Sequence, residues 1–293
     1  IMTRELKADL ALLSVTFFWG ITFLMVQDAL KSIDVFAFLF YRFLLATILM
    51  FFVARKLLKQ TNRDLLVKSN LLGVFLFLSF ALQTFALIYA QSSIVAFITG
   101  LSIVIVPFLI FFLFRGKVRP IVFLGSLVAL AGLYMLTMSS GLSFGKGEFL
   151  TLCCALFIAL HLIYTDKYSK IYDFRLLVFY QLLVVSILSL LGSLLFEEHL
   201  FRAQWLRFDV LQALFVTAFF ATFYAYLVQT SMQQYTTPTK TAVIFTAEPV
   251  FAFFYGYFVG EESFTLIQVI GCITIICAVL IVEIRVKKKK IRN

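Results

Sequence analysis

Asp34-Val-Phe-Ala-Phe-Leu-Phe-Tyr41 and Asp173-Phe-Arg-Leu-Leu-Val-Phe-Tyr180 are the stretches on which the fold turns. Each opens on an aspartate, runs through apolar residues and reaches a tyrosine at the same place. The offset of 139 also aligns Lys31 with Lys170, Arg42 with Gln181 and Thr22 with His161. Further on, Ile105-Val-Pro107-Phe falls on Glu248-Pro249-Val at an offset of 142, and Gly125 on Gly271 at 146. The chain reads as two copies of one unit, residues 1–138 and 148–286, joined by the small-residue segment 139–147 and followed by a basic tail, 287–293.

Working outward, the runs around these stretches are long and apolar. The 293 residues are 62% hydrophobic and 14% charged, with a mean hydropathy of +1.03, which excludes an ordinary soluble domain. A bilayer span takes roughly 20 apolar residues. Ten are expected, near 8–30, 36–54, 70–90, 94–114, 121–138, 149–165, 176–196, 210–231, 241–259 and 266–284. No extramembrane domain fits in what is left. Runs this long without period-two alternation are helices rather than barrel strands, so the expected class is an all-α integral membrane protein. Arg4 and Lys7 precede a run reaching Ala29, longer than the apolar core of a cleaved signal, and the run reads as the first span.

The net charge of +10 would suit a nucleic-acid binder if it lay on one surface, but the cations sit between apolar runs, and no nucleic acid is expected. With the amino terminus inside, twenty cations fall on inner segments, among them Arg55, Lys56, Lys59, Arg115, Lys117, Lys170, Lys240 and the tail. Four fall outside: Lys31, Lys146, Arg202 and Arg207. This bias predicts cytoplasmic termini. Five spans per copy would insert the copies in opposite senses, the inverted-repeat plan of many secondary transporters. The five cations after the second span against two after the seventh agree with that inversion.

Phe18-Trp19-Gly20 with Thr22-Phe23, Asp34 leading to Arg42, Pro107, and then Glu248-Pro249-Val-Phe-Ala252, Gly260-Glu261 and Gly271 together resemble the drug/metabolite transporter superfamily, in particular its EamA-type bacterial exporters. The resemblance covers nearly the whole chain. It implies a bacterial inner-membrane carrier that exports or exchanges a small metabolite. It further implies a central cavity among spans one, three, four, six, eight and nine, and a structural role for Arg42.

An ionisable side chain at mid-span costs about 3 kcal/mol, so it belongs in the protein interior or a wet cavity. Arg42, His161 and Glu248 qualify as a charge or proton relay. Glu248 precedes Pro249, whose missing N–H frees a carbonyl one turn back, which places a carboxyl and an open acceptor together. With Pro107 in the fourth span, Pro249 predicts paired helix kinks. Arg42 offers a fork for a substrate carboxylate or for Glu248. His161 has Asp166 five residues on, about 140° around a helix, so the two do not share a face.

Trp19 is a candidate cavity wall whose indole N–H donates one bond. Gln83, Tyr89, Thr99, Tyr164, Tyr224 and Gln229 are polar candidates for the pathway, and the remaining aromatics pack or face lipid. Cys153, Cys154, Cys272 and Cys277 lie in apolar runs without metal spacing, and His199 is the only other histidine, so no metal and no cofactor are expected. No metalloprotease or serine-hydrolase motif is present, which leaves a membrane enzyme or a channel as remote alternatives. The expected partners are a small-molecule substrate such as an amino acid, protons as a candidate coupling ion, and membrane lipids. A proton-coupled drug exporter is the nearest rival reading. The sequence leaves the metabolite, its direction and the oligomeric state open.

Overall fold

The computed structural model describes residues 4–113, 115–137, 145–198, 202–260 and 265–290, and every regular element among them is helical. Residues 139–144 of the expected linker, together with His199, Glu261 and Glu262, lie outside this description, as do the side chains of the basic tail.

Before the linker lie α1 (Arg4–Ala29), α2 (Val35–Ala54), α3 (Arg63–Tyr89), α4 (Ser92–Gly100), α5 (Ser102–Phe108) and α6 (Pro120–Thr137). After it come α7 (Lys146–Ser169), α8 (Phe174–Phe196), α9 (Phe208–Ala218), α10 (Ala225–Gln233), α11 (Pro238–Phe245), α12 (Glu248–Gly260) and α13 (Leu266–Lys290). A 3₁₀ turn, Arg55–Gln60, extends α2; π-helical stretches follow α5 at Leu109–Leu113 and join α9 to α10 at Phe219–Tyr224. Among the described residues, eight segments are long and apolar enough to cross a membrane, and Pro120–Met135 and Leu266–Ile281 are shorter apolar helices.

The outside of the bundle is apolar and its inside is mixed. Phe52, Leu195, Phe196, Phe258 and Leu266 are each at least 60% exposed, whereas Arg42, His161, Gln181, Gln229 and Gln233 are buried. That inversion suits a lipid surround, where the backbone must satisfy itself within helices. Hydroxyls follow the same rule. Thr47, Ser69 and Thr217 return their protons to carbonyls four residues back, at 2.7, 2.8 and 2.7 Å.

Close packing comes from small residues and end caps. α2 lies along α8, α6 along α13, α3 along α7, and α1 along α12. A Cβ on Gly132 would come 2.8 Å from the Gly271 carbonyl, so Gly132 sets the close contact of α6 with α13. The free N–H groups opening α2 are met from α8: Glu197 accepts from Phe36 N at 2.6 Å and Ala37 N at 2.9 Å. α8 is capped locally, with Asp173 accepting from Arg175 N at 2.9 Å.

Candidate functional site

Two helical segments are interrupted in mid-run, and the cavity lies where they break. α4 ends at Gly100 and α5 starts at Ser102; α11 ends at Phe245 and α12 starts at Glu248. Around these breaks opens a space of about 920 Å³, mouth included, walled by α1, α3, α4, the start of α5, α7, α10, α11 and α12 and reached by Arg42 of α2. Pro249 lies at the second break. Pro107 does not lie at the first: it sits inside α5, six residues past Leu101 and outside the cavity wall. The breaks register at an offset of 146, so Ser102 stands opposite Glu248 in the pattern and the 142-residue match of the prolines does not govern the geometry. Gly100 and Leu101 carry no proline, which is why that break was not legible as a kink.

Trp19 and Arg42 converge on the π-helical stretch. Its widened turn leaves carbonyls open to side chains. The Ala221 carbonyl accepts from Trp19 Nε1 at 2.8 Å and from Arg42 Nη2 at 3.3 Å, while Arg42 Nε donates to Thr222 Oγ1 at 2.7 Å. The guanidinium also stacks over Phe80, 4.6 Å from the ring centre. Its described partners are therefore a carbonyl, a hydroxyl and the rings of Phe80 and Phe43, none of them the carboxylate of Glu248, although both residues line the same cavity.

Glu248 opens α12, at the end of a helix where free N–H groups gather. Gly20 of α1 presses against it so closely that a Cβ there would meet the Glu248 carbonyl at 2.6 Å, Phe251 Cβ at 2.7 Å and Ala252 N at 2.8 Å. The glycine beside Trp19 thus lets α1 and α12 touch at the site.

His161 lines the cavity and pairs with Gln181, Nε2 to Oε1 at 2.8 Å, with its ring edge-on to Tyr226. Asp166 turns away and binds Lys170 at 2.7 Å. Gln83 donates to Thr99 at 3.3 Å across the cavity wall. Gln229 lines it as well.

Three candidates stand elsewhere. Tyr89 is 55% exposed at the end of α3, beneath the ammonium of Lys146. Tyr164 packs on Tyr168 and Phe75. Tyr224 holds Ser14 at 2.8 Å and packs against Phe18. Each occupies a helix face other than the one on the cavity, and position along the span alone does not reveal that face.

Sequence reading also missed several residues. Tyr226 joins Gln229 on the cavity face of α10, at the i, i+3 spacing that marks one face of a helix. Lys240, counted among loop cations, is buried and bridges Asp9 at 2.7 Å and Glu5 at 3.2 Å, fastening α11 to the start of α1. Its short run after Pro238 gave no sign that the helix starts so deep.

The profile of a family described as EamA-like transporter matches residues 6–138 and again 145–284. An uncharacterized transporter of Archaeoglobus fulgidus is 34% identical over 283 residues, covering 97% of this chain and 88% of that protein. A crystal structure, described only as that of a protein, superposes with a TM-score of 0.76 at 18% identity, over 96% of this chain and 98% of its own, and shares the fold. With apolar helices along its length and both stretches matched, this multi-pass membrane chain belongs to the EamA-like transporter family.

Proposed function

We propose that the protein is a secondary transporter of the inner membrane which exports or exchanges a small amphipathic metabolite, such as an amino acid, by alternating access. In this reading ten spans form two inverted five-span repeats, both termini are cytoplasmic, and the solute sits between the two interrupted helices.

The observation that carries the proposal is the recurrence of cavity residues between the copies. Trp19, Thr22 and Phe23 of α1 stand 139 positions before Ile158, His161 and Leu162 of α7, and all six line the same space. Phe80 and Gln83 of α3 stand 146 before Tyr226 and Gln229 of α10, the same offset as the breaks. A cavity built from matched faces of two copies is what a pseudo-two-fold carrier needs, since one motion then exposes the site to either side. The walls suit an amphipathic solute: Trp19, Phe23, Phe80 and Phe245 are apolar, with Arg42 and Glu248 among them.

Purified protein in liposomes is expected to catalyse saturable counterflow of one or more members of a panel of amphipathic metabolites, without single-channel current steps. No counterflow across a broad panel would overturn the reading. Glu248 in the cavity supports a second version, in which protons drive drug or metabolite export. If so, Glu248→Gln abolishes transport driven by a pH gradient but preserves counterflow; a variant that keeps both shows that Glu248 carries no proton.

A further inference from the structure

Leu162, Gln233 and Gln229 form a chain of hydrogen bonds whose direction is fixed at one end. A backbone carbonyl only accepts, so the group that Gln233 turns to the Leu162 oxygen, 3.2 Å away, is its NH₂. The Oε1 of Gln233 is then the end facing Gln229, which must answer with its own NH₂, also at 3.2 Å. Neither amide can flip without setting like against like. The two side chains lie four residues apart on one face of α10, 1% and 0% exposed.

What remains is Gln229 Oε1. It is a buried acceptor with no hydrogen-bond partner among the described residues, on a side chain that lines the cavity. A carbonyl left dry in a bundle interior is costly unless something donates to it. Two donors on the cavity wall are engaged elsewhere: Trp19 N–H is given to Ala221, and His161 is bound to Gln181. Gln83, the residue 146 positions earlier, spends its amide N–H on Thr99.

We propose that Gln229 Oε1 recognises an N–H donor on the transported solute, an ammonium or amide head group, and that Gln233 is a positioning residue that holds the Gln229 NH₂ and so leaves Oε1 as the unpaired end of the amide. The inference rests on the transporter reading and adds to it the polarity of the substrate's head. Arg42 brings its positive charge to the same cavity, so a basic or amide head and an acidic one are expected to bind at different places in it.

The test is calorimetric binding to the full chain in lipid nanodiscs, with 2-phenylethylamine and 3-phenylpropanoate as probes. Gln229→Met is expected to weaken the amine at least tenfold and to leave the carboxylate within about threefold. Gln233→Met frees the Gln229 amide to turn its NH₂ inward and is expected to collapse the amine-to-carboxylate preference, a ratio that general loosening of the fold would not move. Unchanged amine binding in Gln229→Met, or parallel loss of both probes, overturns the proposal. If neither probe binds the unaltered protein while metabolite counterflow proceeds, the proposal falls and the transporter reading stands. Absence of both binding and counterflow removes the two together.

Discussion

Positions 42 and 181 occupy the same place in the repeated stretches and do different work. Arg42 reaches from α2 to the π-helical stretch of the other copy, binding Thr222 and Ala221. Gln181, equally buried, holds His161 of its own copy. The neighbours diverge in step: the counterpart of His161 is Thr22, which returns its hydroxyl to the Trp19 carbonyl at 2.8 Å. Packing, by contrast, is shared, because α2 and α8 lie against each other along the aligned stretches. At this pair of positions the helix packing is shared and the polar partners differ.

Making the copies alike at this point should be the most damaging change. Gln181→Arg would place a guanidinium beside His161, where no π-helical carbonyl has been described to receive it, and an uncompensated buried charge costs about 3–5 kcal/mol. Loss of the monodisperse peak on size-exclusion chromatography in detergent is the expected outcome. A variant that stays folded and active would mean that position 181 has the same surroundings as 42 after all.

Gly20 offers a sharper comparison, because its counterpart is Ala159, a buried residue of α7. One copy therefore accommodates a methyl group that the other has no room for. Gly20→Ala forces a carbon within 2.8 Å of α12 backbone and side-chain atoms, and overpacking of this kind costs about 1–3 kcal/mol. A lowered thermal midpoint together with reduced counterflow is expected. Ala159→Gly, which removes one methyl, should cost less; if the two variants behave alike, the close approach of α1 to α12 is not the asymmetry it is taken to be.

The helix starts at Asp34 and Asp173 separate the copies by the smallest effect. Asp34 makes no side-chain cap bond, and α2 is served by Glu197 instead, so Glu197→Gln should cost about 1 kcal/mol and Asp34→Asn less. At Asp173 the hydrogen bonds from Arg175 hold the carboxyl below its ordinary value. A depressed carboxyl contributes stability above the unfolded-state value, about 3.9, and loses it as pH falls through the folded one. Asp173→Asn should therefore flatten the acid side of a thermal-midpoint profile. An acid limb that keeps its slope in this variant would contradict the part given to the Arg175 pair.

Much of the frame was legible because lipid imposes a single demand, long apolar helices with polar ends, that reads directly from composition. The 139-residue match of Asp34–Tyr41 with Asp173–Tyr180 placed α2 and α8 in register, and Trp19, Gln83, Thr99, Gln229 and Glu248 were visible as polar or amphipathic groups with nowhere else to go. The interruption at Gly100–Leu101 was not, since no proline marks it and the chain around it is uniformly apolar. Nor could the π-helical stretch be read, because one extra residue in a helical turn leaves no compositional trace. The burial of Lys240 between Asp9 and Glu5 depends on residues 231 and 235 positions away, which periodicity does not connect.

The proposed alternating access requires a cavity that opens by turns to the two sides of the membrane. A single cysteine in place of Thr99, in a chain whose four native cysteines are replaced by alanine or serine, allows a membrane-impermeant thiol reagent to be applied from each side in turn. Alternating access predicts that the reagent reaches residue 99 from both sides and that a transported solute slows labelling from each. Labelling from one side alone, unaffected by solute, would contradict it.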